Sequence, residues 1–145
     1  EPYHTALRTT AERIRREHGQ VLVLAAHSMP SKGRRLPTGE LLPRADVVPG
    51  TRGRSTADAR IIDLIDAHFR EAGLTVKHDD PYRGGWTTQR YGLPQKKCHA
   101  VQIELNRALY VDEATSEPKT EGFAELQTVL SALVGKLAEA MQQAD

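Results

Sequence analysis

The chain has 145 residues, enough for one domain with its own core. Its 20 basic and 19 acidic residues nearly cancel, which excludes a global field directed at nucleic acid or a membrane surface. A lone cysteine, Cys98, excludes an intrachain disulfide framework and suits a reducing, cytoplasmic setting, and no apolar run is long enough to span a bilayer. No signal peptide and no internal repeat is visible. The chain opens on Glu1 rather than methionine and enters a helical pattern at once, as a fragment, a processed chain or a trimmed one would.

Residues 3–18 read as a helix, with Tyr3, Leu7 and Ile14, joined by Ala6 and Ala11, in a stripe at helical spacing. Arg15, Arg16 and His18 followed by Gly19 make a C-terminal signal, so His18 reads as a helix-end charge rather than a ligand. Residues 21–26, VLVLAA, form a continuous apolar run suited to a strand buried on both faces, as in a parallel sheet. The run ends in His27, Ser28, Met29 and Pro30. Open α/β sheets bind ligands beyond the carboxyl ends of their strands, which makes His27 a candidate for a metal or a proton. The plainer alternative is a histidine that only caps the strand end.

Residues 31–54 read as a long loop without secondary structure, marked by Pro37, Pro43 and Pro49 and by the cations Lys32, Arg34, Arg35, Arg44, Arg52 and Arg54. No aromatics interleave with these charges and the rest of the chain is not basic, so a small anion suits the loop better than nucleic acid. Arg52 and Arg54 stand just before a helix start, where a carboxylate would meet guanidinium groups and free backbone N–H groups together.

Ser55 reads as the N-cap of that helix, with Asp58 in the capping-box position. The helix buries Ile61, Ile62, Ile65 and Phe69, places His68 on its solvated flank, and ends at Gly73. Residues 74–78, LTVKH, read as a short strand parallel to 21–26, reached by a right-handed crossover. His78, Asp79 and Asp80 follow, but successive side chains on an extended segment point in alternate directions and do not readily grip one ion. Residues 81–94, PYRGGWTTQRYGLP, read as a glycine-rich loop in which Gly84-Gly85 lets the backbone turn sharply or approach a ligand. No Gly-Lys-Ser/Thr follows, so this is not a P-loop.

The stretch from His99 to Glu113, HAVQIELNRALYVDE, carries the strongest pattern. Val101, Ile103 and Leu105 alternate with Ala100, Gln102, Glu104 and Asn106. One face of this strand is apolar; the other carries a carboxylate and two amides, with Arg107, Tyr110, Asp112 and Glu113 close behind. Two readings stay open: Glu104 is held in place for chemistry, or this is an edge strand whose polar face meets solvent. Residues 114–121 read as a polar loop. Residues 122–142 read as an amphipathic helix that packs Phe123, Leu126, Leu130, Leu133, Val134, Leu137 and Met141 on the core.

Four stretches, HSMP at 27–30, ADVVPGTRGRS at 45–55, DPYRGGWTTQRYG at 80–92 and HAVQIELNRALYVDE at 99–113, resemble the N-formylglutamate amidohydrolase family. The resemblance implies an α/β fold similar to zinc-dependent exopeptidases (a phosphorylase/hydrolase-like arrangement): a mixed, mostly parallel sheet sandwiched between helices. Residues 1–145 would then be a single domain corresponding to the C-terminal portion of the family's catalytic domain. The implied activity is cleavage of the formyl amide of N-formyl-L-glutamate, or of a similar N-acyl amino acid, to formate and glutamate in histidine degradation. The implied cofactor is one zinc or another divalent metal. By similarity His27 would be a metal ligand and Glu104 the base that activates metal-bound water. Arg52, Arg54, Arg107 and Tyr91 would bind the small anionic substrate, Arg107 being the closest motif match. The other metal ligands, a histidine and an acidic residue, would lie in an N-terminal segment missing from this chain.

Ala25 stands where the family usually has an aspartate, two residues before the histidine, which bears on histidine orientation and metal affinity. A catalytic zinc takes about three protein ligands plus water, so His27 alone would leave half a site. Two other readings stand beside this one. A catalytically inactive relative would bind an anionic metabolite through the same arginines. A nucleic-acid binder would show steep salt dependence.

Overall fold

A computed structural model describes residues 2–143. Helix α1 (Pro2–His18) lies on the surface and none of its residues is fully buried. Gly19, at a φ of +78°, turns the chain into strand β1 (Val21–Met29). This strand outlasts the apolar run, so His27 lies two residues inside its end rather than at it.

Residues 31–54, expected to be structureless, instead contain a small antiparallel hairpin, β2 (Lys32–Arg35) with β3 (Leu41–Pro43), and then strand β4 (Val47–Gly50). The hairpin closes through the Leu36 N–H on the Glu40 carbonyl at 2.7 Å, a local turn that charge content gives no hint of. Val47 and Val48 are completely buried. Helix α2 (Ala59–Glu71) starts three residues later than the Ser55 reading, with Asp58 at its N-cap. Arg52, Gly53 and Arg54 all take left-handed φ values, which a right-handed helix cannot continue from. The Ser55 hydroxyl meanwhile donates to the Arg52 carbonyl at 2.8 Å instead of capping.

The expected strand at 74–78 shrinks to a single parallel bridge, Val76 with Val47, so it neighbours β4 and not β1. The chain leaves extended geometry there because Asp79 takes a φ of +58°. Within the glycine-rich stretch 81–94 the chain forms a short helix, α3 (Trp86–Tyr91). Strand β5 (Cys98–Asn106) follows, and the last element is helix α4 (Thr120–Gln142).

β5 is the centre of a three-stranded sheet of order β1-β5-β4, parallel to β1 and antiparallel to β4. The sheet is therefore mixed, and the edge-strand reading of 99–106 is wrong. A strand paired on both sides and covered on both faces carries its polar residues into the interior, and Gln102, Glu104 and Asn106 are all buried. The continuous ladder from Val21↔Cys98 to Met29↔Asn106 also explains the length of β1.

Val101 and Ile103 pack with Ile61, Ile62, Ile65 and Phe69 of α2 and with Leu133 and Leu137 of α4. Each such side chain contributes roughly 1.5–3 kcal/mol by leaving water. The opposite face of β5, carrying Gln102 and Glu104, turns toward α3, so helices lie on both sides of the sheet. His68, expected in solvent, is buried, with Nε2 2.8 Å from the Val129 carbonyl, because α4 packs across that flank of α2. Phe123 and Val134 of the predicted α4 stripe stay exposed. Among the described residues no helix is long and apolar enough to cross a membrane.

Candidate active site

His27 and Glu104 are direct cross-strand partners on β1 and β5, near the carboxyl ends of two parallel strands. Their side chains leave the same face, with His27 Nδ1 3.6 Å from Glu104 Oε1. That separation is within ion-pair range and too long for a hydrogen bond. The histidine side chain is 52% exposed and the carboxylate 5%, so a buried acid lies beside an accessible imidazole. A buried carboxylate needs hydrogen bonds to offset its lost hydration. Gln102 supplies one, from Nε2 to Glu104 Oε1 at 2.8 Å, and its own Oε1 accepts the Gly85 N–H at 2.8 Å.

The Arg52 loop is built around Asp79. One carboxylate takes the N–H groups of Thr51 at 2.7 Å, Arg52 at 3.0 Å and Gly53, which holds the left-handed turn. Arg52 then reaches the glycine turn twice, through its N–H to the Arg83 carbonyl at 2.9 Å and through Nη1 to the Gly84 carbonyl at 3.1 Å. The Arg54 guanidinium turns to Asp63 at 2.7 Å. Lys77 pairs with Asp80, His78 with Asp66, and Asp79 holds the Arg52 loop, so these side chains go to separate partners; with Asp79 at a φ of +58° the cause is not alternation along an extended segment.

Arg107 follows the end of β5 and borders a pocket of about 520 Å³ with Pro30, Ser31, Lys32, Val111 and Glu113. The Ser31 hydroxyl and N–H both donate to Glu113 and hold its carboxyl below the usual range, with Arg107 and Arg44 adding to the effect. Arg107 Nε is buried and has no hydrogen-bond partner among the described residues. The Tyr91 hydroxyl donates to the His4 carbonyl at 3.2 Å. Its ring lines a pocket with Val21, Val23 and Cys98, at the opposite end of the β1–β5 pair. The structure thus brings His27 and Glu104 together, links Arg52 to them through the glycine turn, and sets Arg107 just past the strand. Arg54 and Tyr91 have other partners.

His27 offers one ligand to a zinc. Among the described residues no group of three or more His, Cys, Asp or Glu side chains could hold a metal, so these residues do not by themselves fit a catalytic zinc with about three protein ligands. Two residues of the site escaped the sequence reading. Gln102 was legible, two positions before Glu104 on the same face of the strand. Asp79 as the anchor of a loop 26 to 28 positions away was not.

A buried carboxylate beside an accessible histidine, near the carboxyl ends of two parallel strands and close to arginine-bearing loops, is an arrangement within an α/β fold that could do acid–base chemistry. The chain belongs to the N-formylglutamate amidohydrolase family, whose model matches residues 1–111. It is 32% identical over 148 residues to an N-formylglutamate deformylase of Pseudomonas putida, covering 98% of this chain and 54% of that relative. It is 32% identical over 113 residues to an N-formylglutamate deformylase of Pseudomonas aeruginosa, covering 77% and 41%. The crystal structure of N-formylglutamate amidohydrolase from Ralstonia eutropha JMP134 superposes with a TM-score of 0.86 at 35% identity, covering 98% of this chain and 51% of that one. A gene product of Agrobacterium tumefaciens, 23% identical with a TM-score of 0.64, shares the fold. The chain spans about half the length of the relatives it matches.

Proposed function

We propose that this chain carries the base and the substrate-carboxylate side of an amidohydrolase site that cleaves the formyl amide of N-formyl-L-glutamate. The observation that supports this reading most is the Glu104 carboxylate, buried 3.6 Å from the exposed His27, in a chain of this family. Gln102 and His27 both approach Oε1, which leaves Oε2 to take a proton from water. The water oxygen attacks the formyl carbon, Glu104 passes the proton to the amide nitrogen, the C–N bond breaks, and formate and glutamate leave. General base catalysis of this kind contributes roughly 10²–10⁴-fold. Arg52 and Arg107 are the candidates for the substrate's two carboxylates. Where a zinc binds, His27 is the residue of this chain to hold it, with further ligands from outside residues 2–143. The ion would polarise the formyl carbonyl and acidify water.

A second reading, an inactive relative that binds an anionic metabolite, draws on Ala25, which leaves no carboxylate beside His27 at that rung of β1. Formate release from N-formyl-L-glutamate, with zinc added, separates the two when measured on a longer protein that carries this chain together with the further metal ligands. The hydrolase reading expects release by the wild type and its loss in Glu104→Gln with substrate binding retained. Binding without release in both proteins overturns it in favour of the second.

A further inference from the structure

We propose that Gln102 is a positioning residue that ties Glu104 to the glycine turn gripped by Arg52; the inference rests on the hydrolase reading for its catalytic meaning. Gln102 is 6% exposed and stands two residues before Glu104 on β5, so both side chains leave the same face. Its amide is fixed from both ends. Nε2 donates to the carboxylate and Oε1 accepts the Gly85 N–H, each at 2.8 Å. A flipped amide would set its oxygen against a carboxylate and its NH₂ against a donor, so a single orientation satisfies both neighbours.

The turn is shaped for this contact. A Cβ at Gly85 would stand 3.3 Å from Gln102 Oε1, and Gly84 has a φ of +95°. The carbonyl of Gly84 accepts from Arg52 Nη1 at 3.1 Å, so Arg52, the turn, Gln102 and Glu104 form one connected run. A shift of the Arg52 loop therefore reaches the carboxylate through three hydrogen bonds. Without Gln102, Glu104 keeps no hydrogen-bond donor among the described residues, and a buried carboxylate without a donor seeks water or turns away.

Two variants separate donation to Glu104 from support of the turn. In Gln102→Glu, studied at a pH where both carboxyls are ionised so that neither donates to the other, an oxygen still accepts the Gly85 N–H, while the group facing Glu104 becomes a second carboxylate. Gln102→Leu removes both contacts. Crystal structures of wild type and variants are expected to show Glu104 displaced from its position beside His27 in both, with Gly85 unmoved in Gln102→Glu. In that longer protein, with zinc and N-formyl-L-glutamate, kcat should fall about 10–100-fold in Gln102→Glu while KM stays within about twofold, as for a misplaced catalytic group. Wild-type kcat in Gln102→Glu, or an unmoved Glu104, overturns the proposal. If Gln102→Glu does not fold, the Glu104 position and kcat in Gln102→Leu decide in the same way. Should the wild type release no formate, the hydrolase reading fails, and the crystal positions alone still decide what Gln102 does.

Discussion

Alanine at Gly50 tests how closely two loop segments must approach to build the site. An ideal Cβ there would stand 2.5 Å from the Gly84 nitrogen, 2.9 Å from the Tyr82 oxygen and 3.0 Å from the Arg83 carbonyl carbon. All three are backbone atoms, so no side chain can swing aside. Ordinary contacts lie near 3.5–4.0 Å, so the 82–84 segment must retreat by roughly 1 Å. Overpacking of this kind costs about 1–3 kcal/mol. The same substitution at Gly135, exposed in the middle of α4 with nothing within 4 Å, should gain about 0.5–1 kcal/mol, because alanine loses less conformational entropy in a helix. Urea unfolding of both variants measures the contrast, read as a lower midpoint for Gly50→Ala and a higher one for Gly135→Ala. Equal midpoints, or a Gly50→Ala protein as stable as wild type, would refute the packing argument. Because Gly50 is the Cα partner of Gln102 in the sheet, Gly50→Ala should also lower activity.

Arg54→Ala should leave the KM for N-formyl-L-glutamate within about twofold, since its guanidinium is engaged by Asp63, whereas Arg107→Ala should raise KM at least about tenfold, the loss of a charge-assisted contact. Comparable KM changes in the two variants would count against the assignment of Arg107. Calorimetry should find weak zinc binding to this chain that disappears in His27→Ala; nanomolar binding that survives the substitution would remove His27 from the metal site. His99 is fully buried, and burial, partly offset by Asp58, pushes its pKa below the ordinary histidine value. The unfolded chain therefore binds a proton below about pH 6.5 that the folded chain refuses, so stability is lost as pH falls from there, by at most about 1.4 kcal/mol per pH unit. In His99→Asn, whose side-chain oxygen can accept the Asp58 N–H in place of Nδ1, that slope should flatten. An unchanged slope in urea midpoints between pH 7.5 and 5.5 would assign the effect elsewhere.

Local periodicity settled much of this molecule before any contact was known. The helices 3–18 and 122–142 and the strand of Gln102 and Glu104 follow from spacing, because a helix or strand face repeats within one short segment. The motif run from His99 to Glu113 likewise marked the family, and the resemblance offered His27, Glu104 and the arginines as candidates. Other features depend on partners far along the chain. VVPG at 47–50 shows no alternation, and it is a strand because β5 offers it an edge to pair with. Ser55 carries a good capping signal, yet Asp79 pulls Thr51, Arg52 and Gly53 into a left-handed turn and the helix begins later. His68 reads as solvated until α4 covers it. The sequence by itself determined the long helices, the two long strands and the chemical groups available. Only the tertiary structure decided that β5 lies at the centre of the sheet, that His27 stands across from Glu104, and that Gln102 joins that pair to the Arg52 loop. Pairing order and loop anchoring are long-range hydrogen bonds, and a pattern read within one segment carries no information about them.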